Sequence, residues 1–284
     1  MKSTYYESQA LPISMEFETY RQGNRGLIPV VPSKTITGPQ PLKQIVAFAA
    51  SDNPATKVSS SNGSQFDFIP TDNFILPVDS AKVVNNGTVS PSMADKIESP
   101  IIWKMGKERI YKDELVILDL LANNDWDRPI YYTTPGQTGS VRLDEYLELT
   151  GLTYRLVPIK GPRQSSQQGR VNTEVCYDNL MNKFKYTNFG NEDVYFDETC
   201  RRMMTNLKNN FNRLAMALIE ENQMDKSRAV LSKVEEILPP STLGYTYLDL
   251  GTAEGWYKVG DKEKGKKGLE NSFKNIEEQI SFRF

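Results

Sequence analysis

Histidine is absent from this chain. With it go the commonest general base, the commonest metal ligand and the Ser-His and Cys-His nucleophile pairs. Cysteine is scarce. Cys176 and Cys200 are too few for a structural zinc site, leaving either one disulfide in an oxidising compartment or two free buried thiols. The chain has no apolar run of the ~18 residues that would mark a membrane-spanning helix. The opening stretch MKSTYYESQALPISMEF also lacks the apolar centre of a secretory signal. It begins among exposed-looking aromatics, as expected of a piece cut from a longer protein. Neither sign of charge dominates, with 34 Lys and Arg against 36 Asp and Glu. That removes the basic stripe a nucleic-acid partner needs and the polybasic cluster of an anionic membrane surface.

What is present begins with YKDELVILDLLANNDWDRPIYYTTPG, residues 111–136. Leu115 to Ala122 is apolar except for Asp119, so it reads as a buried helix, with Asp113 as N-cap. Asn123, Asn124 and Asp125 stop it, and Arg128 to Thr133 reads as a strand with its proline near the start. Upstream, Pro41 to Ala50 reads as a helix. Phe66–Ile69, Phe74–Val78 and Pro100–Met105 read as strands. A short helix at Leu143–Leu149 and a strand at Leu152–Pro158 complete an alternation expected to build right-handed βαβ crossovers on a small, partly parallel sheet. In such sheets ligands favour loops beyond the carboxyl ends of strands, which nominates residues 133–140. That loop has glycines but no phosphate-cradling spacing.

After the polar linker 161–169 the pattern turns helical. Phe211, Leu214, Ala215 and Leu218 share one face at i, i+3, i+4 and i+7. With Ser227, Leu231, Val234 and Pro239 they fall where a tetratricopeptide repeat carries its large, small and terminal proline residues. Ala253, Trp256, Gly260, Gly265 and Leu269 repeat that layout 38 residues on. Gly265 and Gly268 inside the last helix are expected to weaken it by about 1 kcal/mol each. The expected architecture is an α/β domain over residues 1–165, with an irregular N-terminal segment, followed by an all-α tetratricopeptide-like domain over 170–284.

Few residues point to chemistry. Arg21 and Arg25 beside Tyr20 can bind an anion with guanidinium forks, or simply solvate a turn. Trp126, Asp127 and Arg128 can hold a sugar, the indole stacking and the charged pair bonding hydroxyls. Alternatively, Trp126 plugs the core while its neighbours fix the turn, the usual place for a large aromatic at a corner. Paired carboxylates such as Asp144 with Glu145 are sequence neighbours, with nothing to hold them at a catalytic separation. Asp79-Ser80-Ala81 matches a bacterial O-glycosylation pattern, which makes Ser80 a modification candidate. No metal site and no cofactor is expected.

The motifs YRQGNRG, FIPTDNFILPVD, NNGTVSP, KDELVILDLLANNDWDRPIYY, YLELTGLTYRLVPI, YDNLMNKFKY and NNFNRLAMALIEENQMDKSRAVL occur in this order. Together they resemble the soluble C-terminal region of a bacterial family of multi-pass membrane proteins. That family is protein O-mannosyltransferase-like, a glycosyltransferase type of formerly unknown function. The resemblance covers nearly the whole chain. It implies transmembrane helices before residue 1 and a place on the periplasmic face of the inner membrane. In membrane glycosyltransferases of this architecture the acidic catalytic residue lies in an early loop between transmembrane helices, so no catalytic residue carries over to this chain. The function expected is a non-catalytic accessory domain of a membrane glycosyltransferase-like protein, positioning glycan or acceptor protein or stabilising the enzyme. The alternative is a tetratricopeptide-type module that grips a partner's peptide.

Overall fold

The computed structural model describes residues 10–16, 18, 20, 26–59, 61, 63–133, 141–161 and 169–283. The chain divides into two compact units, Met1–Leu147 with Arg155–Gly169, and Glu148–Tyr154 with Arg170–Phe284. Among the described residues no helix is long and apolar enough to cross a membrane.

The first unit mixes short strands with helices: β1 (Leu27–Pro29), β2 (Gln40–Pro41), α1 (Leu42–Ala50), β3 (Lys57–Ser59), β4 (Gln65–Asp67), β5 (Asn73–Leu76), α2 (Ser80–Asn85), β6 (Ile101–Lys104), β7 (Arg109–Tyr111), α3 (Lys112–Asn124) and β8 (Tyr131–Tyr132). In α1, Leu42, Ile45, Val46 and Ala49 are buried at helical spacing, and this face packs against α3. Strand β5 pairs parallel with β2 and antiparallel with β6, so this three-stranded sheet is partly parallel.

Among the described residues, the βαβ crossovers expected over residues 100–158 are not formed around α3. The strand before α3 is β7, which pairs antiparallel with β1, whereas β6 belongs to the β2-β5-β6 sheet and β8 to neither. The cause is a chain reversal at Gly106, whose φ of 64° ends β6 and lets a second strand begin before the helix. Asp113 is not the N-cap. The helix starts at Lys112, and the Glu114 carboxylate reaches back to accept the Tyr111 backbone N–H at 2.8 Å. Asp125 ends α3 in left-handed conformation and Trp126 follows with φ 60°. This corner consumes residues to 128, leaving a strand of only two residues. Residues 143–149 form one 3-10 turn at Asp144–Tyr146 and then a strand, β9 (Leu147–Leu149), because Leu147, Glu148 and Leu149 are all buried.

Helix α3 carries the unit's most demanding residue. Asp119 is fully buried. Its carboxylate accepts the Ser14 and Met15 backbone N–H groups at 3.0 Å, the Ser14 hydroxyl at 2.7 Å, the Tyr20 hydroxyl at 2.6 Å and the Asn123 amide at 2.7 Å. A buried carboxylate is costly unless its lone pairs are satisfied, and among the described residues uncharged donors satisfy them. The same bonds tie the segment around Ser14 to the helix.

In the second unit β10 (Arg170–Val171) pairs parallel with β9 through Arg170↔Glu148 and Val171↔Leu149. The helices are α4 (Thr173–Tyr177), continued by a π-helical turn at Asp178–Lys183, then α5 (Glu198–Glu220), α6 (Met224–Ile237), α7 (Pro240–Leu243), α8 (Leu248–Lys258) and α9 (Lys262–Arg283). The segment 148–154 is fastened by Asn210 and Asn179, whose amides donate to Gly151 O and Thr150 O at 2.8 and 2.6 Å. Gly151, with φ 129°, leaves room for the Phe184 ring, which a Cβ would approach to 3.1 Å.

Helices α5 and α6 form one hairpin, α8 and α9 a second, and the second repeats the first 38 residues on. Glu220 and Lys258 end the leading helices, while Met224 and Lys262 begin the returning ones. Asn222 (φ 60°) and Gly260 (φ 91°) supply the left-handed turn residue. The Gln223 N–H reaches Leu218 O and the Asp261 N–H reaches Trp256 O, at 2.8 and 2.9 Å. At the helix crossing, Ser227 is buried with its hydroxyl on Ala215 O at 3.0 Å. Its counterpart Gly265 lies so close that a Cβ would come within 2.5 Å of the Tyr257 ring and 3.0 Å of Ala253 O. Gly265 is therefore required by the packing, which corrects its expected role as a simple weak point of the helix.

Candidate functional site

The corner at residues 125–128 is where the sequence concentrated its candidates. Trp126 is buried, its indole N–H donates to Pro77 O at 2.9 Å, and its own carbonyl accepts the Asn86 amide at 2.8 Å. Ring and N–H are thereby both committed to the fold. Asp127 and Asp125 are exposed and share one cation, each lying 2.8 Å from Lys82 Nζ. The hydrogen bonds to Asp125 and then Asp127 raise the Lys82 pKa. Arg128 is half-buried, and its carbonyl accepts the Asn124 amide at 2.8 Å. Ser80 is exposed at the start of α2, where Asp79 caps the helix by accepting the Lys82 N–H at 3.0 Å. Arg21 and Arg25 lie outside the described residues, as does the 133–140 loop apart from Thr133.

Beyond this corner the first unit holds three perturbed phenols, of which Tyr20 is raised by burial and by its hydrogen bond to Asp119. Tyr132 is buried, and burial pushes its hydroxyl up to about 12. Tyr146 is raised by burial and by its 2.5 Å hydrogen bond to Glu98. Among the described residues no group of His, Cys, Asp and Glu can hold a metal ion.

The second unit displays a surface that was not singled out from the sequence. Tyr247, Leu250, Glu254 and Tyr257 recur at i, i+3, i+7 and i+10 along one face of α8, beginning at its N-cap. Tyr247 is 77% exposed, while Leu250 and Tyr257 are exposed to lesser degrees. Glu254 pairs with Lys258 at 2.8 Å on the same surface. The opposite face of α8 is buried through Leu248, Thr252, Ala253 and Trp256. The signal was therefore available as aromatic residues on the side of α8 away from its apolar stripe. Flanking α8, Lys208 of α5 is buried and ion-paired with Asp249 at 2.5 Å, and Asn212 of α5 donates to Leu248 O at 2.8 Å. Exposed tyrosines on a braced helix offer stacking surface to a peptide or a sugar.

The two thiols are separate and free, Cys176 buried and Cys200 exposed. Burial pushes the Cys176 thiol up to about 12, although the nearby Arg213 guanidinium pulls the other way. A thiol so poised is unreactive at neutral pH.

No curated protein and no solved structure matches the chain. A family model described as TMEM260-associated domain 2 matches residues 1–175. That span covers the described first unit, with its Asp119 clamp and Trp126 corner, and stops within α4, ahead of both helical hairpins. Since the match takes in more than half of the sequence, the chain belongs to the TMEM260-associated domain 2 family.

Proposed function

We propose that this chain is a non-catalytic, extracytoplasmic accessory domain of a membrane glycosyltransferase-like protein, at the periplasmic face of the inner membrane. It positions glycan or acceptor protein for an active site borne by the transmembrane part, or stabilises that part. The observation that carries this reading is the match of residues 1–175 to a family associated with TMEM260, an O-mannosyltransferase-like membrane protein. The corner residues support it, because the Trp126 indole N–H and the Asp125 and Asp127 carboxylates already serve the fold. The test is to incubate the purified chain with a lipid-linked sugar donor and an acceptor peptide. Binding of glycan or acceptor without turnover is expected, and sugar transfer or donor hydrolysis by the chain alone refutes the reading.

The tyrosine face of α8 favours a second reading, in which the two hairpins are tetratricopeptide-like and hold a partner's peptide. The equivalent small residues Ser227 and Gly265 at the two helix crossings support this repeat assignment. A Tyr247→Ala/Tyr257→Ala double variant separates the two readings. Under the second it abolishes peptide binding. Under the first, glycan or acceptor binding survives it.

A further inference from the structure

Among the described residues, the repetition of the hairpins leaves one apolar helix face exposed. In the first hairpin, α6 receives α8 through three contacts of different chemistry. Arg228 donates to Val259 O at the carboxyl end of α8 at 2.6 Å. Leu231 packs on Gly255, whose Cβ would come within 2.9 Å of it. Glu235 accepts the Trp256 indole N–H at 2.8 Å. Leu238 closes the row in the core. Thirty-eight residues on, α9 carries Lys266, Leu269, Phe273 and Ile276 at the equivalent places, and Ile280 extends them. Here Leu269 is half-buried and the residues beyond it are bare, with Phe273 61%, Ile276 45% and Ile280 55% exposed. Gly265 and Ser272, one turn before Leu269 and Ile276 on the adjoining flank of α9, are buried.

We propose that this face of α9 is a docking seat for an amphipathic helix of a partner protein. The helix lies antiparallel to α9, its carboxyl end at Lys266 and a glycine or alanine over Leu269. The α6–α8 interface supplies the geometry, because the bare face continues that interface into the next repeat position. Charge adds the partner's chemistry. Glu263, Glu270 and Glu277 recur every seventh residue along one edge of the stripe, and all three are exposed. The partner's helix accordingly carries Lys or Arg beside its apolar residues. Lys266 is 3.7 Å from Glu270 in an exposed pair, which leaves it able to turn toward a helix carboxyl end, as Arg228 does. A second copy of this chain is a poor occupant. Its α5, the helix equivalent to α8, has Asn210, Leu214 and Leu218 already buried, and two acidic edges would meet.

The probe is a stapled helical peptide of residues 246–260, the α8 sequence with Asp249→Lys and Glu254→Lys to supply the basic edge, titrated by fluorescence anisotropy against the whole chain. Binding is expected to fall at least about tenfold when Phe273→Glu is placed in the chain or Gly255→Leu in the peptide. The Phe273→Glu chain should melt at the wild-type temperature, since Phe273 is exposed. Failure of the wild-type chain to bind, or equal binding by Phe273→Glu, overturns the proposal. So does a wild-type dimer that Phe273→Glu dissolves, which would make the occupant a second copy. Binding to phosphatidylglycerol vesicles that the same substitution abolishes would assign the face to a membrane, and overturns it equally.

Discussion

The two compact units solve the problem of a stable interior in opposite ways. In the first unit strands run two to four residues, and much of the fastening is done by polar side chains gripping distant backbone. Asp119 holds Ser14 and Met15, Trp126 holds Pro77, and Trp103 holds Val141. In the hairpins of the second unit the fastening is local and repeated, with apolar residues at helical spacing and a small residue where two helices cross. The difference shows what each region cannot tolerate. The first should fail when a buried donor or acceptor is orphaned, and the second when a crossing is crowded.

The largest effect is expected from Asp119→Ala. It strands two backbone N–H groups and the Tyr20 hydroxyl, so unfolding measured in denaturant should show a loss of about 3–5 kcal/mol. Hydrogen exchange should show the Ser14 and Met15 amides losing protection. Unchanged protection there would mean that the clamp is not what holds this segment.

The interior of the second unit can be read through Cys176. Its thiol stays protonated in the fold up to about 12, whereas an unfolded thiol ionises near 9.0. Between those values the unfolded chain has released a proton that the folded one keeps, so stability falls as pH rises from about 9 to about 12. A Cys176→Ala variant should have a shallower slope, the remainder coming from buried phenols such as Tyr132. At neutral pH a thiol reagent should label Cys200 promptly and Cys176 only after unfolding.

Gly265→Ala gives a sharper contrast. Helix propensity alone predicts a gain of about 1 kcal/mol. Crowding against Tyr257 and Ala253 O predicts a net loss of about 1–3 kcal/mol, and thermal melting distinguishes the two by sign. A gain would mean that the second crossing relaxes easily and the comparison with the first unit weakens. The smallest effect is assigned to Lys82→Ala. Its partners Asp125 and Asp127 are mostly exposed, so the loss should stay below about 1 kcal/mol despite two 2.8 Å contacts.

What could be read in advance followed the same division. The helix 198–220 and its return at 224–237 were visible because an amphipathic helix writes its burial into a period of 3.6. The offset of 38 between hairpins was visible for the same reason, since each repeat needs the same small residue at the same crossing. In the first unit α1 and α3 were legible as apolar stretches, while the pairing of β7 with β1 was not. Strands of three residues carry too little alternation to specify a partner, and a single left-handed glycine at 106 redirected the chain. The candidate surfaces divided likewise. Trp126 stood out in the sequence and proved to be committed to Pro77, whereas Tyr247 and Tyr257 stood out only once the buried side of α8 was known.

By itself the sequence determined that this chain brings no histidine chemistry, that a mixed region precedes a helical one, and that the helical one repeats. Composition and periodicity suffice for these, because each depends on residues that are neighbours or nearly so. Only the tertiary structure decided that Asp119, the one polar residue in the apolar run Leu115 to Ala122, is an anchor for Ser14 and Met15. It also decided that Gly265 is a packing requirement and that Phe273 and Ile276 face solvent. Those facts depend on groups brought together from far along the chain, where the cost of a buried charge or the width of a helix crossing is set by what arrives on the other side.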